Sequence, residues 1–589
     1  MDAKAKSFTF LSNEGQITVP FFQRGYVWDE DNWDTLLTDL LNTTRGHFLG
    51  SLILKQQRAA SGEPKEVMVI DGQQRLTTLS VLVKALYDTF PDEVRVNCTV
   101  HVRTYLFFKR YATDKDYLVR IRHSHVDSEA YSGVIRAGLD GPAALDGDSG
   151  SNRIVQCYRY FADELTQKPE DERTALFNRL LDPDHRMLVV IDLTEDDDEQ
   201  TIFDTTNTAG VRLSCADIIK NALFQRVLRL ADSALAVALY KRTWENVFLA
   251  DDDTIEFWET QRLTGRLLRD NIEILLHSIA VIQGFYDPDK HTLSDLSALY
   301  KTQINNFKSL EDVIAFIEDI RAYGEIYRAQ IPAFDSSTAC AFGNGAQRLF
   351  HVLDVLQITT FHPFILFVLK TYADADCLRE RMLAGLEKFV MRRVLSRQET
   401  KSFNKRCRDF LARADALMAA MSETSDEEVL AGLKGISNKN AALVLFWIEL
   451  YRRSLDPKYD TKELKYDYSL EHVMPQKWEA HWNDMPEKRN ADGTVMSFEG
   501  AKKDRYEKVY WLGNMTLLTS SLNSALKNYC FEKKMNGEGR KKGIRQYASL
   551  FITKDDLVSP FEKGDTVWDE GKIEARTARL GQEILDIWG

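Results

Sequence analysis

Val69-Ile70-Asp71-Gly72-Gln73-Gln74-Arg75-Leu76-Thr77-Thr78 changes periodicity in mid-stretch. Up to Asp71 it continues a short β-branched run that reads as a strand over Val67–Ile70. Gly72 permits a tight turn, and beyond it Leu76, Leu79, Leu82, Val83 and Leu86 follow helical spacing. Strand, turn and helix in direct succession, with further β-like runs at Arg95–Val102 and Met187–Ile191, make the first ~225 residues a mixed α+β region. The chemistry at the turn is distinctive. Backbone N–H groups at a helix N-terminus favour an anion, and Arg75 adds a fork of donors suited to phosphate. Gln73, Gln74, Thr77 and Thr78 can bond phosphate or base, and Asp71 can hold a cation or order water. Alone, an Asp-Gly turn with an Arg is more often a structural salt bridge, and there is no G-x-x-x-x-G-K-[ST] phosphate loop.

Two other segments are similarly polar where a plain core needs no polar groups. One is Val19-Pro20-Phe21-Phe22-Gln23-Arg24-Gly25-Tyr26-Val27-Trp28. The other is Asn207-Thr208-Ala209-Gly210-Val211-Arg212-Leu213-Ser214, leading into Asp217-Ile218-Ile219-Lys220-Asn221. Ser214-x-x-Asp217 also has the form of a capping box, so these two residues can serve helix starting alone. The order V-P-x-x-Q-R-x-Y-x-W, F-L-G-S (Phe48–Ser51), I-D-G-Q-Q-R-L-T-T, N-x-x-G-x-x-L-x-x-x-D-I-I-K-N resembles the DUF262 family over roughly residues 8–225. That family is the regulatory, nucleotide-handling half of modification-dependent restriction enzymes of the GmrSD type, with a fold similar to ParB and sulfiredoxin. The resemblance implies that Gln23, Arg24, Asp71, Gly72, Gln73, Gln74 and Arg75, and more loosely Asn207 and Arg212, line a pocket that binds and hydrolyses a nucleoside triphosphate. Phe21, Phe22, Tyr26 and Trp28 either line a pocket for an altered base or sulfur or pack around the nucleotide.

From Asp217 to Arg453 the pattern is helical, with apolar stripes such as Ile272, Leu275, Leu276 and Ile279 and no fixed-period repeat. Pro457 and the charged stretch to Lys465 mark a boundary. The expected organisation is a nucleotide-binding regulatory domain over 1–225, a helical connector over 226–454 and a nuclease domain over 455–589. The Gly-, Ser- and Asp-rich stretch Gly138–Asn152 reads as a loop and the acidic run Glu195–Glu199 as a solvated turn.

In the last part, Tyr466-Asp467-Tyr468-Ser469-Leu470-Glu471-His472-Val473-Met474-Pro475 reads as a strand ending at an acid and a histidine. A second strand is expected within Trp511–Thr519, then a helix capped by Ser520 and Ser521 that carries Asn523, Lys527 and Asn528. Phosphodiester hydrolysis needs an activated water and stabilised charge on the leaving 3′-oxygen. A neutral His is the usual base near pH 7. Mg²⁺ prefers oxygen ligands and keeps waters for the substrate phosphate. His472 is therefore the candidate base, Glu471 and Asn523 are candidate ligands of Mg²⁺ or another divalent cation, and Asn514 is the residue orienting the His loop. E-H-V-x-P, L-G-N-x-T-L-L and N-x-x-x-x-N-x-x-F-x-x-K resemble the DUF1524 family of HNH nucleases over about residues 455–560. That implies a ββα nuclease domain. The eight residues between Asn514 and Asn523 match HNH domains whose third His is replaced by Asn. His481 reads as a surface residue.

Lys502–Arg545 holds eleven Lys or Arg against four Asp or Glu. Beside a phosphodiesterase motif this reads as a DNA-backbone track, with Lys527, Lys533, Lys534, Arg540, Lys541 and Lys542 as contacts. Arg392, Arg393, Arg397, Lys401, Lys405, Arg406 and Arg408 form a second cluster, for DNA or for a neighbouring domain. The chain as a whole, at 589 residues and net charge −13, is no electrostatic glove for nucleic acid. Seven scattered cysteines without a C-x-x-C pair fit reduced thiols and give no zinc site. The first residues hold no apolar signal stretch and no apolar run approaches ~18 residues, so a cytoplasmic protein without a membrane span is expected. The combined expectation is a nucleotide-regulated, metal-dependent endonuclease acting on modified double-stranded DNA in phage defence. Because one HNH site cuts one strand, a homodimer is expected. The rivals are a nucleotide-driven DNA-binding regulator with an inactive nuclease fold and a toxin-like RNase.

Overall fold

The computed structural model describes residues 2–42, 48–57, 65–111, 113–139, 152–194, 214–264, 267–457, 461–479, 481–482, 485, 487–489, 492–539 and 541–589. Asn207, Arg212, Arg540 and the acidic run at 195–199 lie outside these residues, as do the side chains of Lys541 and Lys542. Two units emerge, Met1–Tyr240 and Lys241–Gly589. The chain is mixed α+β and mostly helical.

The first unit is built on a six-stranded mixed sheet. Its strands are β1 (Asp2–Lys6), β2 (Gln16–Thr18), β3 (Ser51–Gln56), β4 (Glu66–Asp71), β5 (Ile121–Arg122) and β6 (Leu188–Leu193), in the order β1-β6-β3-β4-β2-β5. The pairs β3/β6, β2/β4 and β2/β5 are parallel, and β1/β6 and β3/β4 are antiparallel. Alternation sends Leu52, Leu54, Val67, Val69, Leu188 and Val190 to one face. There they pack on helix α1 (Gln73–Asp88), whose residues from Leu76 to Leu86 are almost all buried. The other face carries Ile53, Ile70, Ile191 and Leu193.

The strands expected at Val67–Ile70 and Met187–Ile191 are present, while Arg95–Val102 lies inside helix α2 (Asp92–Leu106). The valines there fit alternation on paper, but Val96 and Val100 are 72% and 69% exposed. Val94, Cys98, Val102 and Leu106, four residues apart, form the packed stripe, and Asp92 and Glu93 sit favourably in the first turn. Burial along a period near four overrides β-branched propensity.

In the second unit helices dominate, among them α3 (Asn271–Ile282), α4 (Gly345–Leu356), α5 (Asp376–Leu395) and α6 (Asn438–Leu455). The expected helical run is interrupted by an antiparallel hairpin, β7 (Gln261–Thr264) with β8 (Leu267–Asp270). Further on, β9 (Ser469–His472) pairs antiparallel with β10 (Met515–Leu518), placing His472 opposite Met515. Leu512–Asn514 is a 3-10 turn, so the second strand starts later than its apolar run. Helix α7 (Ser520–Leu526) follows and ends before Lys527 and Asn528, with Thr519 at its N-cap rather than Ser520 or Ser521. Helix α8 (Glu570–Trp588) buries Ile573, Arg576, Leu580 and Ile584 on one face. Among the described residues no helix is long and apolar enough to cross a membrane.

Candidate functional sites

In the first unit, the turn between β4 and α1 requires glycine. Gly72 has φ +90°, and a Cβ there would stand 2.3 Å from the Leu52 side chain and 2.9 Å from the Ser51 carbonyl oxygen. Gly50, with φ +112°, leaves room for the Arg75 guanidinium, which donates to the Ser51 carbonyl. The F-L-G-S and D-G-Q-Q-R segments thus depend on each other sterically.

The glutamines lace the first segment to the second. Gln23 Nε2 donates to the Val69 carbonyl (2.8 Å), Gln73 Nε2 to the Arg24 carbonyl (2.7 Å) and Gln74 Nε2 to the Gly25 carbonyl (3.1 Å). Gln74 Oε1 also accepts from Val27 N (2.9 Å). Thr77 and Thr78 are fully buried and donate to the carbonyls of Gln73 and Gln74, so they are not phosphate ligands. Phe22 and Tyr26 are likewise core; the Tyr26 hydroxyl meets Thr78 Oγ1 at 2.6 Å and accepts from Trp33 Nε1. Phe21 packs edge-on against Phe22 and Tyr240 and borders a cavity of about 640 Å³ shared with Lys55, Arg122 and Gln225.

The charges gather at the start of the helix Cys215–Leu230. Burial lowers the Arg24 guanidinium, and the carboxylates of Asp217 and Asp71 work against that shift. Asp217 is half-buried, and desolvation raises its carboxyl, yet Lys220 (2.7 Å), Ser214 and Arg24 bring it below the ordinary range. Ser214 also caps the helix, accepting from Asp217 N at 3.1 Å. The D-I-I-K-N segment thus brings an ion pair, Asp217 with Lys220, to the neighbourhood of Arg24.

In the second unit, His472 ends β9 with Gln476 Nε2 3.5 Å from its Nε2. Burial, and secondarily Lys534, pushes its pKa down to about 4, so the imidazole is neutral at pH 7. Asn514 is fully buried and its side chain is fully used. Its Nδ2 donates to the carbonyls of Met474 (2.8 Å) and Val509 (2.9 Å), and its Oδ1 accepts from Met474 N (2.8 Å) and Trp568 Nε1 (3.2 Å). Those bonds fasten the loop that follows His472. Arg576, from α8, donates to the carbonyls on either side of Asn514, Gly513 (2.9 Å) and Met515 (2.6 Å), while Asp556 balances its charge at 2.9 Å. No local pattern announced Arg576, because its partners lie far away in sequence.

Lys534 does not belong to a DNA track. It is fully buried, forms an ion pair with Glu471 and donates to the His472 carbonyl at 2.8 Å. Burial raises the Glu471 carboxyl and lowers the Lys534 ammonium. Other members of the basic run are also internal: Arg505 pairs with Glu570, and Lys508 with Asp504 and Glu574. Lys533 meets Glu538 at 2.5 Å, and Lys527 is exposed. The second basic cluster is largely neutralised, through Arg392–Asp426, Arg406–Glu423 and Arg408 with Asp287 and Asp289.

Among the described residues no three His, Cys, Asp or Glu side chains converge as a metal cluster. The expected oxygen ligands are the Glu471 carboxylate, which is paired with Lys534, and the Asn523 amide, whose Nδ2 donates to the Leu470 carbonyl (3.0 Å) and leaves Oδ1 as acceptor. Such a sparse oxygen set fits a Mg²⁺ ion that retains several waters and takes substrate oxygens.

Comparison with protein families gives two matches. Residues 8–224 match the GmrSD restriction endonuclease N-terminal domain, and residues 423–583 match the GmrSD restriction endonucleases C-terminal domain. The class is therefore a restriction endonuclease, a phage-defence nuclease that acts on DNA. With both domains in one polypeptide, the chain belongs to the GmrSD-type restriction endonucleases. No curated protein matches it.

Proposed function

We propose that the chain is a nucleotide-regulated, metal-dependent endonuclease of the HNH type that cuts modified foreign DNA. The observation that carries this reading is a neutral His472 at the end of a strand, beside Glu471 and on a loop fastened by Asn514. The β9–β10–α7 succession is taken as a ββα nuclease element and the N-terminal sheet as a ParB/sulfiredoxin-like fold. In the reaction His472 takes the proton of the attacking water, whose oxygen bonds to phosphorus as the bond to the 3′-oxygen breaks. Glu471 and Asn523 are the residues to hold a divalent ion, which supplies positive charge for the scissile phosphate and the leaving oxygen. Asn514 and Lys534 keep His472 and Glu471 in register.

The nucleoside triphosphate is assigned to Arg24, Asp71, Arg75, Asp217 and Lys220, with Gln23, Gln73 and Gln74 as the frame and Asn207 and Arg212 as further contacts. Selectivity for modified DNA is assigned to the first unit, because backbone contacts carry no sequence information. Lys527, Lys533, Arg540, Lys541 and Lys542 are proposed as backbone contacts, and the working species as a homodimer. Incubation with Mg²⁺ and unmodified DNA, DNA with hypermodified cytosine, or RNA tests the reading, with and without each triphosphate. Faster cutting of modified DNA, altered by nucleotide and abolished in His472→Ala, is the expected result. Equal cutting of both DNAs under every condition would leave a general nuclease; cutting of RNA alone would replace the substrate.

A further inference from the structure

The helical part of the second unit contains a cavity of about 880 Å³, within the range of small-molecule sites. Most of its wall comes from residues 269–404, outside both family matches. Among the described lining residues there is no Asp or Glu, whereas Arg269, Arg397, His277 and His291 all face it. Arg269, on β8, is 5% exposed, lies 3.7 Å from the Glu273 carboxylate and donates to the Glu273 carbonyl (3.3 Å). His291 Nδ1 accepts from Asp287 N (3.0 Å), which leaves the ring hydrogen on Nε2 as a donor. The lining also includes the start of α6, an 18-residue helix capped by Ser437, whose first N–H groups favour an anion. Tyr286, Leu293 and Phe403 add apolar surface to the lining.

The backbone of the wall is unusual. Of three non-glycine residues with positive φ among the described residues, two border this cavity, Gln357 (φ +60°) and Arg397 (φ +59°). Each follows the end of a helix, α4 and α5, where glycine is the residue the left-handed conformation favours. A side chain kept at such a position needs a use that outweighs the strain. The Arg397 guanidinium reaches Gly435, just ahead of α6, so it joins the helix start to the end of α5.

We propose that this cavity binds a phosphorylated nucleoside, with Arg269, Arg397 and the first turn of α6 for the phosphate and the apolar lining for the base. A lone phosphate fills only a small part of the space and makes no use of the apolar lining. Hydroxyls and amides at Thr359, Thr400, Asn404 and Asn440 suit a ribose and base edges. The ligand is either a free nucleotide or one residue of a single-stranded nucleic acid. The site is separate from the nucleotide residues assigned in the first unit and does not depend on them.

Equilibrium dialysis of the full chain with ATP, GTP and the 5′-phosphorylated dinucleotide of thymidine tests the proposal in wild type, Arg397→Gly, Gln357→Gly and Arg24→Ala. Glycine relieves the left-handed strain, so both glycine variants are expected to melt at or above the wild-type temperature. For at least one probe they should nevertheless lose one bound equivalent, or bind it tenfold or more weakly, with the equivalent held by the first unit unchanged. Loss with ATP or GTP identifies a free nucleotide, and loss confined to the dinucleotide identifies a nucleic-acid source. Wild-type binding of every probe by both glycine variants overturns the proposal, as does a wild type that binds none. If Arg24→Ala binds as wild type while Arg397→Gly is weakened, the first-unit assignment fails and this one stands.

Discussion

Lys534 and Glu471 form a buried ion pair, 63 residues apart in sequence, and the same ammonium also holds the carbonyl of His472. The pair fixes the acid and the base of the candidate centre to one another through a third side chain. It also removes one cation from the surface charge that the basic run displays on paper.

Lys534→Met is expected to cost about 3–5 kcal/mol of stability, because it leaves Glu471 buried without its counter-ion. DNA binding should keep its salt dependence in this variant. Lys527→Ala, at an exposed position, should leave stability unchanged and reduce the salt slope by about 1. Urea melts and binding titrations across salt concentrations measure both. A reduced slope in Lys534→Met would return that residue to the DNA track.

Asn514→Ala orphans the Met474 N–H and the carbonyls of Met474 and Val509 in the interior. At about 1–3 kcal/mol for each unsatisfied group, the loss should approach the stability of the surrounding region. Cleavage should vanish together with folding of the 473–475 loop, followed by hydrogen exchange. A variant that loses cleavage while retaining full exchange protection there would mean that Asn514 acts on substrate rather than on the loop.

Gly72→Ala and Arg24→Ala separate frame from ligand contact in the first unit. The alanine methyl at position 72 meets Leu52 and Ser51 in a left-handed backbone, so at least about 2 kcal/mol of stability should be lost. Arg24→Ala should melt near wild type and bind triphosphate about 10–100-fold more weakly, the range of a lost charge-assisted bond worth about 1.5–3 kcal/mol. Unchanged affinity in calorimetry would make Arg24 a structural partner of Asp217 alone.

Burial pushes His123, His277 and His362 down to about 3 and His351 to about 4. Below about pH 6.5 the unfolded chain protonates these rings while the folded chain does not, so the unfolded state binds more protons. Stability should therefore fall as pH drops from 6.5 towards 4, by about 1 kcal/mol per ring for each pH unit. One of the four lies in Met1–Tyr240 and three in Lys241–Gly589, so the second unit should lose protection first. Calorimetry between pH 7 and 5, with exchange mapped by peptide, checks the order; parallel losses in both units would count against it.

Local chemistry was readable in the sequence where its cause was local. Asp71-Gly72 announced a strand, a turn and a helix because glycine favours that left-handed backbone, and the run to Glu471-His472 announced the strand that β9 forms. Roles set by distant partners were not readable. Gln23, Gln73 and Gln74 look alike whether they bond a phosphate or a neighbouring carbonyl, and here their amides bind backbone. Lys534 looked like surface because its acid is 63 residues away. Val96 and Val100 imitated a strand because alternation and a four-residue stripe overlap over so few valines.

Arg576 bridges the carbonyls on both sides of Asn514 from within α8, at positions 570–588 of the chain. During synthesis the centre around His472 leaves the ribosome well before the helix that braces it. Until then the carbonyls of Gly513 and Met515 lack their guanidinium donor, so the turn that holds Asn514 is completed only when the last helix docks. A chain halted at Asp569 should bind nucleotide and leave DNA whole; cutting by that fragment would show that the brace is dispensable.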